Sequence, residues 1–200
     1  MKVSIILAHP DPRSLNHAIA GRARATLLAG SHEVTFHDLC AEKFDPVMPA
    51  AEIASSATPP PEIARHCDEI RAADGIIIVH PNWWGQPPAV LKGWIDRVLR
   101  PGVAYRFRGD DPGAGIPEGL LRARTALIFN TTNTPEQREK AVFHDPLETL
   151  WRNCICGLCG VQIITRRTFQ IVITSTPEQR RAWLAEVETL VRRHFPPETS

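Results

Sequence analysis

The sequence predicts an α/β protein, in which one doubly wound sheet of five parallel strands, in the order 2-1-3-4-5, carries helices on both faces. Four short apolar runs rich in β-branched residues are typical of strands buried on both faces of such a sheet. A fifth run alternates and is expected nearer an edge. Helical patterns separate the runs, so strand and helix alternate along the chain. The predicted strands are Val3–Ala8, Glu33–His37, Gly75–His80, Thr125–Asn130 and Val161–Thr165.

Apolar residues at helical spacing predict the helices between and after the strands. In chain order, the faces of the first, middle and last of these helices are Leu15, Ala18, Ile19, Ala23 and Leu27, then Leu91, Trp94, Ile95, Val98 and Leu99, and finally Trp183, Val187, Leu190 and Val191. Thr134, Asp145 and Thr176 are each followed three positions later by Glu or Gln, which is the capping-box pattern. Ser14 stands where the first helix needs an N-cap.

The composition indicates a filled globular chain, which we expect to form a single domain over residues 1–200. Lys and Arg together number 23 against 22 Asp and Glu, so net charge favours neither nucleic acid nor an anionic membrane. No apolar run approaches the ~20 residues of a membrane span, and no signal-peptide pattern precedes the first strand. Five cysteines without disulfide-framework spacing predict reduced thiols. We therefore expect a cytoplasmic protein without membrane insertion.

Two groups of residues are expected to be structural. Cys154 falls on an apolar helical stripe between Leu147 and Leu158, which predicts core packing rather than metal binding. Lys92 and Arg97 are expected on the solvated face of their helix.

The polar run after the first strand allows three interpretations. His9-Pro-Asp11 resembles the start of the zinc-deacetylase motif, but Pro12 stands in place of the second Asp, and the positive charge of Arg13 disfavours a divalent cation. A nucleophile would be Ser14 with a histidine base and a third orienting group, although its position as a helix cap already explains a serine. No metal site is therefore predicted.

The third interpretation is a phosphate site. A strand, a short loop and a helix N-terminus follow one another, and the first amides of such a helix point at a bound anion. Ser14, Asn16 and His9 add neutral donors, and Arg13 adds positive charge. This loop lies at the carboxyl end of a central strand, where ligands of open α/β sheets bind.

The loops after the third and fourth strands predict what else binds there. The loop His80–Pro88 contains two adjacent tryptophans, Trp83 and Trp84, which offer a flat surface to a large planar ring or pack against the sheet edge. The loop Asn130–Thr134 supplies polar groups for the edge of such a ring, or forms a simple turn and cap. An anion loop, an aromatic surface and a polar loop together favour a flavin.

Four segments carry a resemblance to a known family. AHPDPRSLNHAI, DLCAEKFDP (38–46), HPNWWGQPPAVLKGWIDRVLRPGVAYRF (80–107) and TTNT (131–134) resemble motifs of the NAD(P)H:quinone oxidoreductases. That family includes DT-diaphorase, bacterial drug-activity modulators and the flavoprotein partners of potassium efflux systems. The resemblance runs in order through nearly the whole chain and implies a flavodoxin-like fold.

The resemblance implies a site as well as a fold. His9, Ser14, Leu15 and Asn16 are expected at the flavin phosphate, the segment from Pro81 to Trp84 at the ring face and the segment from Thr131 to Thr134 at its polar edge. Tyr105 and Phe107 are expected at the substrate pocket. Together with the residues argued from chemistry, the predicted cofactor-binding set is His9, Arg13, Ser14, Leu15, Asn16, Pro81, Asn82, Trp83, Trp84, Gly85, Asn130, Thr131, Thr132, Asn133 and Thr134.

The implied activity is reduction of quinones or similar planar acceptors by ping-pong hydride transfer from NADH or NADPH, with FAD or FMN as cofactor, in a homodimer. The alternative is a flavin-binding regulatory subunit of a transporter such as a potassium efflux system. Asn133 and Thr134 replace the family's two glycines, and no Tyr follows. His144 lies near, without matching, the position of the family's proton-transfer histidine.

Overall fold

The structure, a computed structural model, describes residues 1–54, 57–107, 115 and 117–197. The strands are β1 Lys2–Leu7, β2 Glu33–Asp38, β3 Gly75–Pro81, β4 Tyr105–Arg106, β5 Glu118–Gly119, β6 Thr125–Thr131 and β7 Ile163–Phe169. The α-helices are α1 Leu15–Ala29, α2 Pro61–Ala72, α3 Ala89–Val98, α4 Glu136–Ala141, α5 Pro146–Thr149 and α6 Pro177–His194. A 3-10 turn at Ala50–Glu52 and a π-helical segment at Leu150–Gly157 complete the described elements.

The main sheet has five parallel strands in the order β2-β1-β3-β6-β7. This is the predicted order 2-1-3-4-5, because the short antiparallel pair β4 and β5 lies outside the main sheet. The predicted fold class is therefore confirmed. Leu7 pairs with Val79, and Pro81 pairs with Thr131, so the carboxyl ends of the three central strands meet at one edge.

Alternate side chains of the central strands enter two separate cores. Ile76 and Ile78 of β3 pack with α2, α3 and the π-helical segment on one face of the sheet. Ile77 and Val79 pack with α1 and α6 on the other face. Both faces of the central strands are thus covered, as a continuous apolar run in a parallel sheet predicts.

The helix caps confirm two predictions and correct two others. Ser14 and Thr176 cap α1 and α6, since their hydroxyls accept hydrogen bonds from backbone N–H groups in the first turns. The cap at Thr134 was wrong, and Asp145 stands at the predicted start of α5 without the predicted side-chain capping bond. α4 begins after Pro135 without a side-chain cap, and Asp145 has a left-handed backbone while its carboxylate binds Arg166.

Two further expectations fail near the last strand. Cys154 is exposed, whereas Cys156 and Cys159 are buried. Residues 150–157 form a π-helix, whose hydrogen bonds span five residues, so a stripe drawn at α-helical spacing loses its register there. β7 runs on to Phe169 beyond the predicted end at Thr165, through polar residues that still pair with β6.

Arg97 was expected in solvent and is instead buried. On α3 its guanidinium binds the carboxylate of buried Glu52 at 2.5 Å and donates to the carbonyl of Asp45 at 2.7 Å. Buried Arg100 donates to the Glu52 carbonyl at 3.1 Å. This ion pair anchors the long connection after β2 to the helix that follows β3. Lys92 lies on the exposed side of α3 and pairs with Asp96, as expected of a solvated face.

We predict that Glu52→Ala lowers the free energy of unfolding by about 3 kcal/mol, because it leaves the buried Arg97 charge without its partner. Asp96→Ala breaks an exposed pair on the same helix and should cost less than about 1 kcal/mol. Urea unfolding of both variants at pH 7 measures the difference. Equal losses would show that burial of the Arg97 pair does not matter.

Candidate functional site

An open groove of about 320 Å³ lies at the edge where β1, β3 and β6 end. Its position follows from the parallel pairing, which places three loops side by side at the carboxyl ends of the strands. The residues that line it are His9, Arg13, Ser14, Leu15, Asn16, Pro81, Asn82, Trp83, Thr131, Thr132, Asn133, Val172 and Arg180. The structure therefore brings together most of the predicted cofactor-binding set.

The first loop presents donors to the groove. The backbone N–H of Asp11 donates to Nδ1 of His9 at 3.1 Å, so the proton of the neutral His9 ring lies on Nε2. Burial lowers the pKa of His9, which favours this neutral form. The first amides of α1 have no partners within the helix, and Ser14 stands at its cap. Arg13 is exposed and binds Asp11.

A buried pair of side chains joins the first loop to the third. The Asn16 amide donates to the Thr131 hydroxyl at 2.9 Å, and both side chains are buried. A backbone hydrogen bond joins the second and third loops, since the N–H of Asn82 donates to the carbonyl of Thr131 at 2.7 Å. All three loops are therefore fixed relative to one another before any ligand binds.

The second loop turns sharply at the two tryptophans. Trp83 and Gln86 exchange backbone hydrogen bonds of 3.1 and 3.0 Å, and the residues between them, Trp84 and Gly85, have φ of +57° and +72°. Positive φ at both central positions is the type I′ arrangement, which glycine adopts without strain and tryptophan does not. A Cβ on Gly85 would lie 2.8 Å from Cγ of Pro146, so this position requires glycine.

The turn gives the two tryptophans different surroundings. Trp83 lines the groove, is 45% exposed, and has its ring centroid 6.1 Å from that of His9. Trp84 is fully exposed and does not line the groove found among the described residues. The predicted role of Trp84 as a ring-binding surface stays a prediction, and the geometry favours Trp83 for it.

Hydrogen bonds hold the third loop against the end of β7 and the residues that follow this strand. The N–H of Thr132 donates to the carbonyl of Phe169, and the N–H of Val172 donates to the carbonyl of Thr132, both at 3.1 Å. The Asn133 side chain accepts from the N–H of Ile173 at 2.9 Å. These bonds hold a polar loop open at the groove instead of folding it over the strand ends.

A buried polar network supports the floor of the groove. His80 donates from Nδ1 to the carbonyl of Pro81 at 2.8 Å, and its Nε2 accepts from the Asn130 amide at 2.8 Å and from the Trp151 N–H at 3.0 Å. In this neutral tautomer, each ring nitrogen therefore has a hydrogen-bond partner. Burial lowers the pKa of His80 to about 4, and Arg166 acts in the same direction.

The comparisons with known proteins decide the family. The sequence profile of the flavodoxin-like fold matches residues 1–191. This chain belongs to that family. An uncharacterized NAD(P)H oxidoreductase of Haemophilus influenzae is 31% identical over 184 residues, covering 90% of this chain and 89% of that protein. Human ribosyldihydronicotinamide dehydrogenase [quinone] is 29% identical, covering 94% of this chain and 91% of that protein.

Solved structures agree with this assignment. Smu.1420 from Streptococcus mutans UA159 matches the flavodoxin-like chain with a TM-score of 0.84 and 29% identity, covering 96% of this chain and 100% of that one. No helix among the residues described is both long and apolar enough to cross a membrane.

Several residues predicted for the flavodoxin-like site lie elsewhere. Asn130 is buried in the network beneath the groove, and the N–H of Thr134 donates to the Thr132 hydroxyl. Tyr105 and Phe107 form an edge-to-face pair at 6.0 Å on and after β4, outside the groove lining. His144 is exposed, with φ of +58°. The predicted roles of Tyr105, Phe107 and His144 stay predictions.

Sequence reasoning missed two residues that line the groove, Arg180 and Val172. Arg180 lies in the first turn of α6, and donates to the Ser175 hydroxyl at 2.8 Å and to the Val172 carbonyl at 3.2 Å. The cap at Thr176 predicts where this helix begins, but no sequence signal indicates that its first turn lines the groove. Arg180 adds a second positively charged side chain to the lining of the groove, which also includes Arg13.

A cluster of metal-ligand types lies outside the groove, where His37, Glu42 and His66 approach one another. Hydrogen bonds account for these groups. The two ring nitrogens of His37 face Glu42 at 3.0 Å and Glu69 at 2.7 Å, and the Trp94 N–H donates to Nδ1 of His66 at 3.2 Å. The proton of neutral His66 then lies on Nε2, which removes that lone pair from metal binding. We interpret the cluster as a structural tie between β2 and α2.

The buried histidine predicts a pH-dependent stability. His80 has a pKa of about 4 when folded and an ordinary value near 6.5 when unfolded, so the unfolded chain binds the proton more tightly. Its contribution is present above pH 6.5 and is lost as the pH falls. Between pH 7 and pH 5 this histidine should lower the free energy of unfolding by about 2 kcal/mol.

Chemical denaturation of the wild type and of His80→Gln at pH 7 and pH 5 measures this contribution. The variant should be less stable at pH 7 and should lose about 2 kcal/mol less on going to pH 5. His144→Gln, at an exposed position, is the matched control and should keep the wild-type difference. If His80→Gln and the wild type lose the same amount, His80 is not the titrating group.

Proposed function

We propose that this chain is a flavin-dependent NAD(P)H oxidoreductase that reduces quinones or similar planar acceptors by ping-pong hydride transfer. The observation that carries the proposal is the convergence of three prebuilt loops, with an anion-binding end and an aromatic face, on one groove. Family membership and relatives named as NAD(P)H and quinone oxidoreductases support it.

The residues present fit the phosphate end of a flavin. The backbone amides of Leu15 and Asn16, at the start of α1, and the protonated Nε2 of His9 supply neutral donors. Arg13 and Arg180, which both line the groove, supply positive charge. No described side chain that lines the groove is acidic, so a bound phosphate meets no repelling carboxylate there.

The second loop of the groove fits a planar ring. Trp83 presents a half-exposed aromatic surface, and Pro81 adds an apolar contact. The Thr132 hydroxyl, which accepts from the N–H of Thr134, has a proton to donate to the edge of the ring. When bound, the flavin, as FMN or FAD, supplies the two-electron redox chemistry. The chain's residues bind and orient it and exclude water from one face.

This division of labour requires no nucleophilic side chain. The dihydronicotinamide ring of NADH or NADPH and the ring of the acceptor are both planar, so they use the same open face of the groove in turn. This shared face is the physical basis for ping-pong kinetics. The proposed acceptor class follows from the flatness of that face. None of the relatives named above is a transporter subunit, and no described feature favours the regulatory alternative.

We propose a homodimer as the working assembly. The large apolar side chains of Trp84, Phe107, Val142 and Phe143 are exposed, and covering them would remove apolar area from water. A second copy of this chain is the proposed cover. Sedimentation of the purified protein should give twice the chain mass, and Phe143→Glu should shift it toward the monomer because burying a charge there is unfavourable. A monomeric wild type would contradict the assembly.

The identity of the cofactor is tested on the purified protein. An absorbance spectrum should show flavin bands, and mass spectrometry of the compound that heat releases names FMN or FAD. Steady-state turnover with NADH and NADPH against a quinone then tests the activity. A protein that shows no flavin bands, and gains none after incubation with either flavin, would contradict the proposal.

The two tryptophans test which surface binds the ring. Trp83→Ala should weaken flavin binding about tenfold, since loss of one aromatic stacking contact costs about 1 kcal/mol or more. Trp84→Ala is the matched variant in the same turn, and flavin fluorescence quenching measures both affinities. An equal loss in both variants supports the predicted role of Trp84, whereas an unchanged affinity in Trp84→Ala contradicts it.

A further inference from the structure

A chain of hydrogen bonds runs from the end of β2 to the phosphate end of the groove. Nε2 of His17 lies 2.9 Å from Oδ2 of Asp38, and Nδ1 of His17 lies 3.0 Å from the hydroxyl of Ser14. The side chains of His17 and Asp38 are 18% and 19% exposed, so water reaches them only in part. Ser14 itself lines the groove.

The far end of this chain is fixed by the backbone. The other carboxylate oxygen of Asp38, Oδ1, accepts from the N–H groups of Cys40 and Ala41 at 3.2 and 3.1 Å. Both oxygens of the Asp38 carboxylate therefore act as hydrogen-bond acceptors. Nε2 of His17 must therefore carry a proton to bond Asp38, whether the ring is neutral or charged.

The remaining proton decides what Ser14 can do. In neutral His17, the lone pair of Nδ1 accepts a hydrogen bond from the Ser14 hydroxyl. This bond uses the single proton of that hydroxyl. The Ser14 oxygen also accepts from the backbone N–H of His17 at 3.3 Å, so it then faces the groove only with electron pairs. In protonated His17, Nδ1–H donates to the Ser14 oxygen, and the hydroxyl proton is released to donate to an anion.

We propose that Asp38 and His17 take up a proton when a phosphate-bearing flavin binds, and that this turns the Ser14 hydroxyl from an acceptor toward His17 into a donor toward the phosphate. His17 is a positioning residue here, because it acts through Ser14. The inference rests on the flavin function proposed above and specifies how the phosphate is recognised. Asp38 supplies the negative charge that balances the new imidazolium.

The other titratable groups around His17 are His9, Asp11 and Cys40, and each is accounted for by its own surroundings. His9 lies edge-on to His17 at 6.3 Å, and its Nδ1 is already committed to the N–H of Asp11. Burial lowers the pKa of His9, and a charge on His17 lowers it further, so His9 stays neutral. Asp11 is paired with Arg13, and burial raises the pKa of the Cys40 thiol beside Asp38, which keeps that thiol protonated.

The sign of the expected effect follows from this linkage. Because the bound state holds one more proton on His17, the affinity for FMN falls as the pH rises, by at most about tenfold per pH unit. The second ionisation of a phosphate monoester lies near pH 6, so measurements from pH 7 to pH 9 keep the ligand's own charge constant. Riboflavin lacks the phosphate and should bind with an affinity that does not change over this range.

Isothermal titration calorimetry of the full-length, flavin-free protein with FMN, FAD and riboflavin tests the proposal. At pH 8, titrations in two buffers of different ionisation enthalpy count the protons taken up. Uptake of up to one proton with FMN or FAD, and none with riboflavin, is the expected result. Binding of the phosphate-bearing flavins without proton uptake would overturn the inference and leave the flavin function standing. Binding of none of the three would overturn both.

Three variants separate this role from simple support of the helix cap. His17→Asn keeps a side-chain amide near Ser14 without a titrating group, and should bind FMN with a pH-independent affinity and no proton uptake. Asp38→Asn removes the balancing charge and should weaken FMN at pH 7 while sparing riboflavin. Ser14→Ala should also abolish the uptake. A purely structural role would instead weaken FMN and riboflavin alike and leave the wild-type pH profile in place.

Discussion

The parallel pairing of β1, β3 and β6 is the constraint on which the rest of the molecule depends. It brings three loops to one edge of the sheet, whatever their sequences. Proximity alone would leave them mobile, but the buried bond between Asn16 and Thr131 and the backbone bond from Asn82 to Thr131 lock them together. A ligand that spans the three loops therefore meets a surface that is already ordered, and the entropy cost of binding is small.

The polar groups beneath this edge explain how a charged and aromatic groove stands on an apolar core. His80, Asn130 and Trp151 satisfy one another without carrying charge, and Arg166 joins them to the acidic residues beside α5. A neutral histidine costs less free energy than a charged one in this buried position, because an imidazolium there would need a buried counterion. Among the described residues that line the groove, the side chains with a permanent charge are Arg13 and Arg180, and both are exposed.

The sequence predicted those features that local chemistry controls. Strands buried on both faces, and caps such as Ser14, follow from the nearest few residues. Cys154 was misplaced because a π-helical turn breaks the spacing from which its burial was inferred. Arg97 was misread because its partners, Glu52 and Asp45, are distant in sequence. Arg180 was missed because only the fold brings the first turn of α6 to the groove. Whether an arginine is solvated or buried depends on which distant residues the fold packs against it. Helical periodicity in the sequence indicates only the side of its own helix on which the arginine lies.

The first loop shows how one set of residues can satisfy the geometry of two different chemistries. A nucleophile needs a base and an orienting third group, and His17 and Asp38 occupy those positions relative to Ser14. A nucleophilic serine must also be free to leave its hydrogen bonds as it attacks. Ser14 is instead tied into the start of α1 as acceptor of the His17 N–H, among donors arranged for an anion that stays intact. In a nucleophilic site, the same hydrogen bonds from Asp38 through His17 would activate the hydroxyl for attack. Here they determine whether the Ser14 hydroxyl donates to His17 or to a bound phosphate. The surroundings of the serine, rather than the three residues themselves, therefore determine which chemistry results.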